Sequence, residues 1–112
     1  MPYVSLEKVT NSTRGFKTIG RLTYLSLGEK GAKGIMKVIA TISYGNVCRE
    51  MFTLGNEHMS QWAQVSYDDI VEVCGFKPMM RENGLTLVAY GGIEVTIKVT
   101  DNSDIPTPKK TC

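Results

Sequence analysis

The sequence is short of almost every feature that marks an enzyme, a membrane protein or a secreted scaffold. No apolar run approaches the roughly 20 residues that span a bilayer, so no transmembrane helix is expected. The opening MPYVSLEKV has neither the basic start nor the long apolar stretch of a signal peptide. Cysteine is scarce: Cys48, Cys74 and Cys112 are odd in number and far apart. They form neither a disulfide framework nor a metal-ligand spacing, so reduced thiols in an intracellular compartment are expected. His58 and Trp62 are the single histidine and the single tryptophan. No GxSxG, HExxH, Walker A or CxxC pattern occurs, and no nucleophile, base and orienting group can be assembled. Catalysis is therefore not expected, and no catalytic residue, metal ligand or cofactor is assigned.

What is present suits one small domain. The 112 residues are 42% hydrophobic, with Val, Ile and Leu recurring throughout, which is enough for a core without staples and too apolar for a disordered chain. The net charge of +2 is small, but it is segregated. Residues 14–49 carry seven bases (Arg14, Lys17, Arg21, Lys30, Lys33, Lys37 and Arg49) against one acid, Glu29. Residues 50–72 carry Glu50, Glu57, Asp68, Asp69 and Glu72 and no Lys or Arg. Such an arrangement can build a one-sided positive field on a nearly neutral molecule; the alternative is a solvated surface with chance clustering.

Along the chain, residues 1–15 read as an N-terminal arm or irregular edge strand. FKTIGRLTYLS (16–26) is β-branched and aromatic, a strand with a bend at Gly20. LGEKGAKG (27–34) is a glycine-rich loop. IMKVIATISY (35–44) and VCREMFTL (47–54) form a hairpin across Gly45-Asn46, where both residues accept positive φ. Asn56 can cap a short helix carrying Met59, Trp62 and Ala63 at helical spacing, with Trp62 plugging the core. Lone His58 reads as a surface residue, and Asp68-Asp69 as a turn into the next strand or, alternatively, a pair that could bind a cation. That strand is DIVEVCGFK (69–77), ended by Pro78, and MMRENG forms a second exposed loop. A last strand (85–99) is interrupted by Gly91-Gly92, and 101–112 is a flexible polar tail. Five strands with the single short helix between the third and fourth is the order of an all-β, five-stranded OB-fold Greek-key barrel, here spanning 16–100.

Particular motifs carry a resemblance. GRLT (20–23), KGIMKVIATIS (33–43), REMFTLGNEHMSQWAQVSYDDIVEVCGFKP (49–78) and GLTLVAYGGIEVTIKV (84–99) are similar to successive strands of the bacterial and phage-type single-stranded DNA-binding proteins. The resemblance spans roughly residues 16–99 and implies an OB-fold that binds single strands. Two departures stand out. Third-strand positions where that family stacks bases hold Cys48 and Leu54, and the tail ends in Lys109-Lys110-Thr111-Cys112 rather than an acidic, hydrophobic tip.

Binding single strands without sequence preference takes cations along the phosphates and flat faces for the bases. The candidate cations are Lys17, Arg21, Lys30, Lys33, Lys37, Arg49, Lys77 and Arg81. Tyr24, Tyr44 and Tyr90, near strand ends or loop mouths, are the candidate stacking residues, with Met51, Met79 and Met80 as softer alternatives. Phe52 and Phe76 read first as core fillers. Alternation puts Lys37, Ile39, Thr41 and Ser43 on one face of their strand and Met36, Val38, Ala40 and Ile42 on the core side. The expected function is single-stranded DNA binding in replication, recombination or repair. Single-stranded RNA binding and a protein-interaction OB module are the alternatives. The expected setting is a bacterial cytoplasm, cellular or phage-encoded, with a nucleus or organelle as alternatives. A homodimer or homotetramer and other replication or recombination proteins are the expected protein partners.

Overall fold

The β-branched stretches form strands, and the glycines mark where those strands bend or approach one another. The computed structural model describes residues 2–30, 36–82, 84–90 and 93–100. Seven strands follow in order: β1 (Lys17–Lys30), β2 (Met36–Tyr44), β3 (Val47–Leu54), β4 (Ile70–Cys74), β5 (Lys77–Arg81), β6 (Gly84–Ala89) and β7 (Thr96–Val99). A 3-10 turn at Leu6–Lys8 precedes β1. A second, at Asn56–His58, runs into one helical turn, α1 (Met59–Trp62). Among the described residues, no helix is long and apolar enough to cross a membrane.

One sheet contains every strand, in the order β5-β6-β3-β2-β1-β4-β7. All neighbours are antiparallel except β3 and β6, which run parallel. The expected fourth strand is β4 and β5, two pieces joined through Gly75-Phe76. The expected last strand is likewise β6 and β7. Each long strand changes partner at its break: β4 pairs with β1, whereas β5 pairs with β6. Since β4 and β5 sit near opposite ends of the sheet and only two residues join them, the sheet must curl round on itself. Its hydrogen-bonded order stays open, with β5 and β7 at the edges.

Pro78 does not end the strand as expected. It is buried inside β5, opposite Leu87. An edge strand tolerates a proline, because its missing N–H can face the unpaired side. The expected MMRENG loop is correspondingly shorter, since Met79, Met80 and Arg81 belong to β5.

Two glycines are required by close approach. Gly20 lies in β1 where the strand passes from pairing with β4 to pairing with β2, and a Cβ there would meet Ile42 Cβ at 3.0 Å and Ser43 O at 3.1 Å. Gly75, at the β4–β5 kink, has φ +89°, and a Cβ would lie 2.6 Å from Glu94 O. Gly75→Ala combines a left-handed conformation with a backbone clash and should destabilise the protein by about 2 kcal/mol or more. Thermal unfolding followed by circular dichroism reads this directly; an unchanged melting temperature would show that the kink relaxes freely.

The β2–β3 hairpin turns at Gly45-Asn46 as expected. Only Gly45 takes positive φ, at 61°, so glycine is needed at the first turn position alone. Asn56 does not cap α1: its Oδ1 accepts from the Met36 N–H at 3.1 Å, tying the connector to the start of β2. Trp62 is fully buried, as expected of a plug, and its Nε1–H donates to Thr53 Oγ1 at 2.9 Å. The Gln61 side chain acts as a strand neighbour. Its amide donates to Val95 O at 2.8 Å and accepts from the Ile97 N–H at 2.7 Å.

His58 is only 2% exposed, against the expected surface position. Asp68-Asp69 form the expected turn into β4. The Asp68 N–H donates to Leu22 O, the Leu22 N–H to Asp69 O, and the Ser66 N–H to Asp69 Oδ2, each at 2.8 Å.

Inside the curl, Leu22, Val38, Ala40, Ile42, Met51, Trp62, Val71, Val73 and Leu87 form the core, joined by Phe16 and Phe76. The N-terminal arm contributes too, through buried Leu6 and Val9. Cys48 is disulfide-bonded, against the expectation of three reduced thiols. The expected bend at Gly91-Gly92, the tail at 101–112 and Cys112 lie outside the described residues.

Candidate nucleic-acid interface

Residues opposite one another in adjacent strands share a face. The register of β2 and β3 pairs Val38 with Thr53 and Ala40 with Met51 on the core side. The other side pairs Ile39 with Phe52 and Thr41 with Glu50. Parallel pairing to β6 extends these outer rows to Val88 and Thr86, and β5 adds Lys77 and Met79. On the opposite flank β1 adds Ser26 beside Ile39 and Tyr24 beside Thr41. The result is two rows, each five strands wide: Ser26, Ile39, Phe52, Val88, Lys77 and Tyr24, Thr41, Glu50, Thr86, Met79. At the usual spacing of about 4.8 Å between strands, the face is about 19 Å across.

Phe52 sits at its centre. The ring is 5% exposed yet lies outside the core cluster, because its cover comes from the outer face. The Arg81 guanidinium lies over it at 4.7 Å from the ring centroid, and Lys37 Nζ at 5.7 Å. Tyr90 meets it edge-on, with centroids 6.2 Å apart and planes at 81°. The Tyr90 hydroxyl reaches Met79 Sδ at 3.9 Å. Both cations are drawn to the negative face of the ring. Tyr24 and Tyr90 remain 44% and 40% exposed, so each has a flat surface to offer.

Of the eleven residues expected to bind, the face gathers Tyr24, Lys37, Lys77, Arg81 and Tyr90. Arg21 stands at its flank, opposite Ser43, and its Nη1 donates to Asp68 O at 3.1 Å. Three are elsewhere. Lys17 pairs with Cys74 at the β4 end of β1. Tyr44 packs against the core, beside Tyr3, whose phenol is pushed up by partial burial and then by Tyr44. Arg49 lies opposite Ile42, in the register of the core side, and its Nη1 donates to its neighbour's carbonyl at Cys48, 3.1 Å away. That register takes Arg49, expected among the strand-binding cations, off the outer rows. The Lys30 side chain and Lys33 lie outside the described residues.

Three residues of the face escape a reading of the sequence. Phe52 looks like a core filler, and Glu50 and Thr86 carry no motif. Glu50, Arg81, Glu82 and Thr86 line a cavity of about 380 Å³ opening on this face. Tyr67, also not singled out, is 58% exposed, and its hydroxyl donates to Leu25 O at 2.7 Å beside the β1 flank.

Neither a family model nor a curated protein matches this sequence. Solved structures do match. The OB domain of Ta0387 from Thermoplasma acidophilum superposes with a TM-score of 0.63 at 16% identity, covering 96% of this chain and 93% of that one. This chain has an OB-fold. The Pot1pC domain of Schizosaccharomyces pombe, solved bound to single-stranded DNA, gives 0.66 at 8% identity, with 93% and 90% covered. A replication factor A related protein from Methanobacterium thermoautotrophicum gives 0.65 at 12%, with 88% and 91% covered. The expected five OB-fold strands thus appear as seven because the last two are each broken in two. Ligands of this fold lie across the second and third strands, between the loops that follow the first and fourth. Those strands are β2 and β3 here, and the β5–β6 hairpin follows the bent fourth strand.

Proposed function

We propose that this OB-fold binds single-stranded DNA across the outer face of β2, β3, β6 and β5, as a protein of replication, recombination or repair. The observation that carries the reading is the cluster on Phe52, where two cations and an exposed tyrosine converge on one aromatic ring. Lys37, Lys77 and Arg81 supply positive charge for phosphates, and Tyr24 and Tyr90 supply faces for unstacked bases. Structural neighbours solved with single-stranded DNA and the resemblance to the bacterial and phage-type binding proteins support the same ligand. In this reading the chain acts by holding a strand rather than by catalysis.

Fluorescence anisotropy of a labelled oligo-dT tests it. Each neutralised phosphate of a single strand contributes about −0.7 to the slope of log affinity against log salt. Three cations on the face therefore predict a slope of about −2 or steeper. Absence of binding at low salt would overturn the proposal. A matched RNA oligomer in the same titration measures the preference between the two backbones.

A further inference from the structure

The cavity beside Phe52 is unlike the rest of the face. Among the described residues its lining is Glu50, Glu82, Arg81 and Thr86. Phosphate is repelled by the carboxylates, so a strand crossing the face turns a base rather than its backbone into the cavity, and the exposed N–H edge of Arg81 at the rim is left to meet a phosphate. Glu50 and Arg81 line one cavity without pairing with each other: among the described residues the ion pair between a lysine or arginine and a carboxylate is Lys98 with Glu72. Glu50 is held in mid-sheet between Thr41 and Thr86. Thr86 Oγ1 donates to Gly84 O at 3.5 Å and keeps lone pairs that can accept. Arg81 is positioned over Phe52, and it is exposed on its other side.

These groups describe their ligand. It is flat enough to stack on a guanidinium, as bases commonly do. It gives adjacent hydrogen-bond donors to a carboxylate. Guanine alone among the four bases has adjacent donors, N1–H and the N2 amino group, to match the two oxygens of a carboxylate. In adenine and cytosine the amino group stands beside a ring lone pair that repels a carboxylate. In thymine the single N3–H is flanked by two carbonyl oxygens. We infer that the Glu50–Arg81 cavity is a guanine subsite in a face that otherwise accepts any sequence. This rests on the single-strand reading above.

The test is anisotropy with oligo-dT carrying one central dG, dA, dC or deoxyinosine, against the full chain and Glu50→Gln. The oligomer with dG should bind about tenfold tighter than plain oligo-dT, the range of one good bidentate base contact. Deoxyinosine, which lacks the N2 amino group, should lose most of that gain. Glu50→Gln should act in opposite directions on two ligands. It should remove the preference for dG and raise affinity for plain oligo-dT by about twofold, because a negative charge leaves a face that meets phosphates. That rise, with an unchanged melting temperature, also shows that the variant is folded. Equal affinity for all the oligomers overturns the subsite while leaving single-strand binding standing. So does a preference for another base, or a dG preference that Glu50→Gln leaves intact. Failure to bind any oligomer removes the underlying reading, and the subsite with it.

Discussion

Lys37→Glu combined with Arg81→Glu is expected to lower affinity for oligo-dT by about a hundredfold at low salt. Hydrogen bonds to charged groups contribute about 1.5–3 kcal/mol each, so each lost phosphate contact costs about tenfold or more. The substituted carboxylates add repulsion. The two residues also share a support, since both cations lie over Phe52, at 5.7 and 4.7 Å from its centroid. The salt slope should become shallower by about 1.4, the share of two phosphates. A control with the same change in charge is Lys8→Glu with Arg14→Glu. Lys8 and Arg14 are exposed on the N-terminal arm, where Arg14 donates to Asn11 O and Thr13 O at 2.8 Å. That control should change affinity by less than about threefold, as general field effects between exposed charges are screened beyond about 10 Å. Equal losses in both double variants would mean that net charge, rather than this face, governs binding.

Trp62→Ala should come close to unfolding the protein. The indole is fully buried, and its N–H is satisfied by Thr53 Oγ1 at 2.9 Å. Truncating a buried aromatic ring typically costs about 3–5 kcal/mol, against a total stability of about 5–15 kcal/mol for a domain. The site has little room to collapse, because Trp62 ends a helical turn held to the closing strand by both ends of the Gln61 amide. Trp62→Phe separates the two contributions. It keeps most of the apolar contact, leaves the Thr53 hydroxyl without its donor, and should cost about 1–3 kcal/mol. Urea unfolding followed by circular dichroism measures both variants. A loss below about 1 kcal/mol for Trp62→Ala would show that the barrel closes without its plug.

Much of the face is legible once the hairpin is taken seriously. A two-residue turn at Gly45-Asn46 determines every pair in β2 and β3, since Tyr44 must meet Val47 and each step back on one strand is a step forward on the other. Counting from that turn puts Phe52 opposite Ile39, on the side of Lys37, and Arg49 opposite Ile42. The sequence thus holds the signal that Phe52 is a face residue and that Arg49 is not. Composition obscures it. An aromatic residue between Met51 and Thr53 looks like core, and an arginine in a basic segment looks like a ligand. Parity along the strand is the stronger physical constraint, because a one-residue slip turns every side chain to the other side.

The two strands of the β2–β3 hairpin, their turn, the short helical connector and the burial of Trp62 follow from the sequence alone. They depend on β-branched composition, glycine at the turn and a large apolar ring, all of which act between residues close along the chain. The cavity and its aromatic cluster depend on the tertiary structure. Glu50 and Phe52 meet Thr86, Arg81 and Tyr90 only because β6 lies parallel to β3 and carries β5 beside it. Nothing within β6 specifies that neighbour. The breaks between β4 and β5 and between β6 and β7 give each half of a long strand a different partner, and the curl of the whole sheet decides which. The partnership emerges from closing the core, where burial is shared among all the strands, and so the site has no local signature to read.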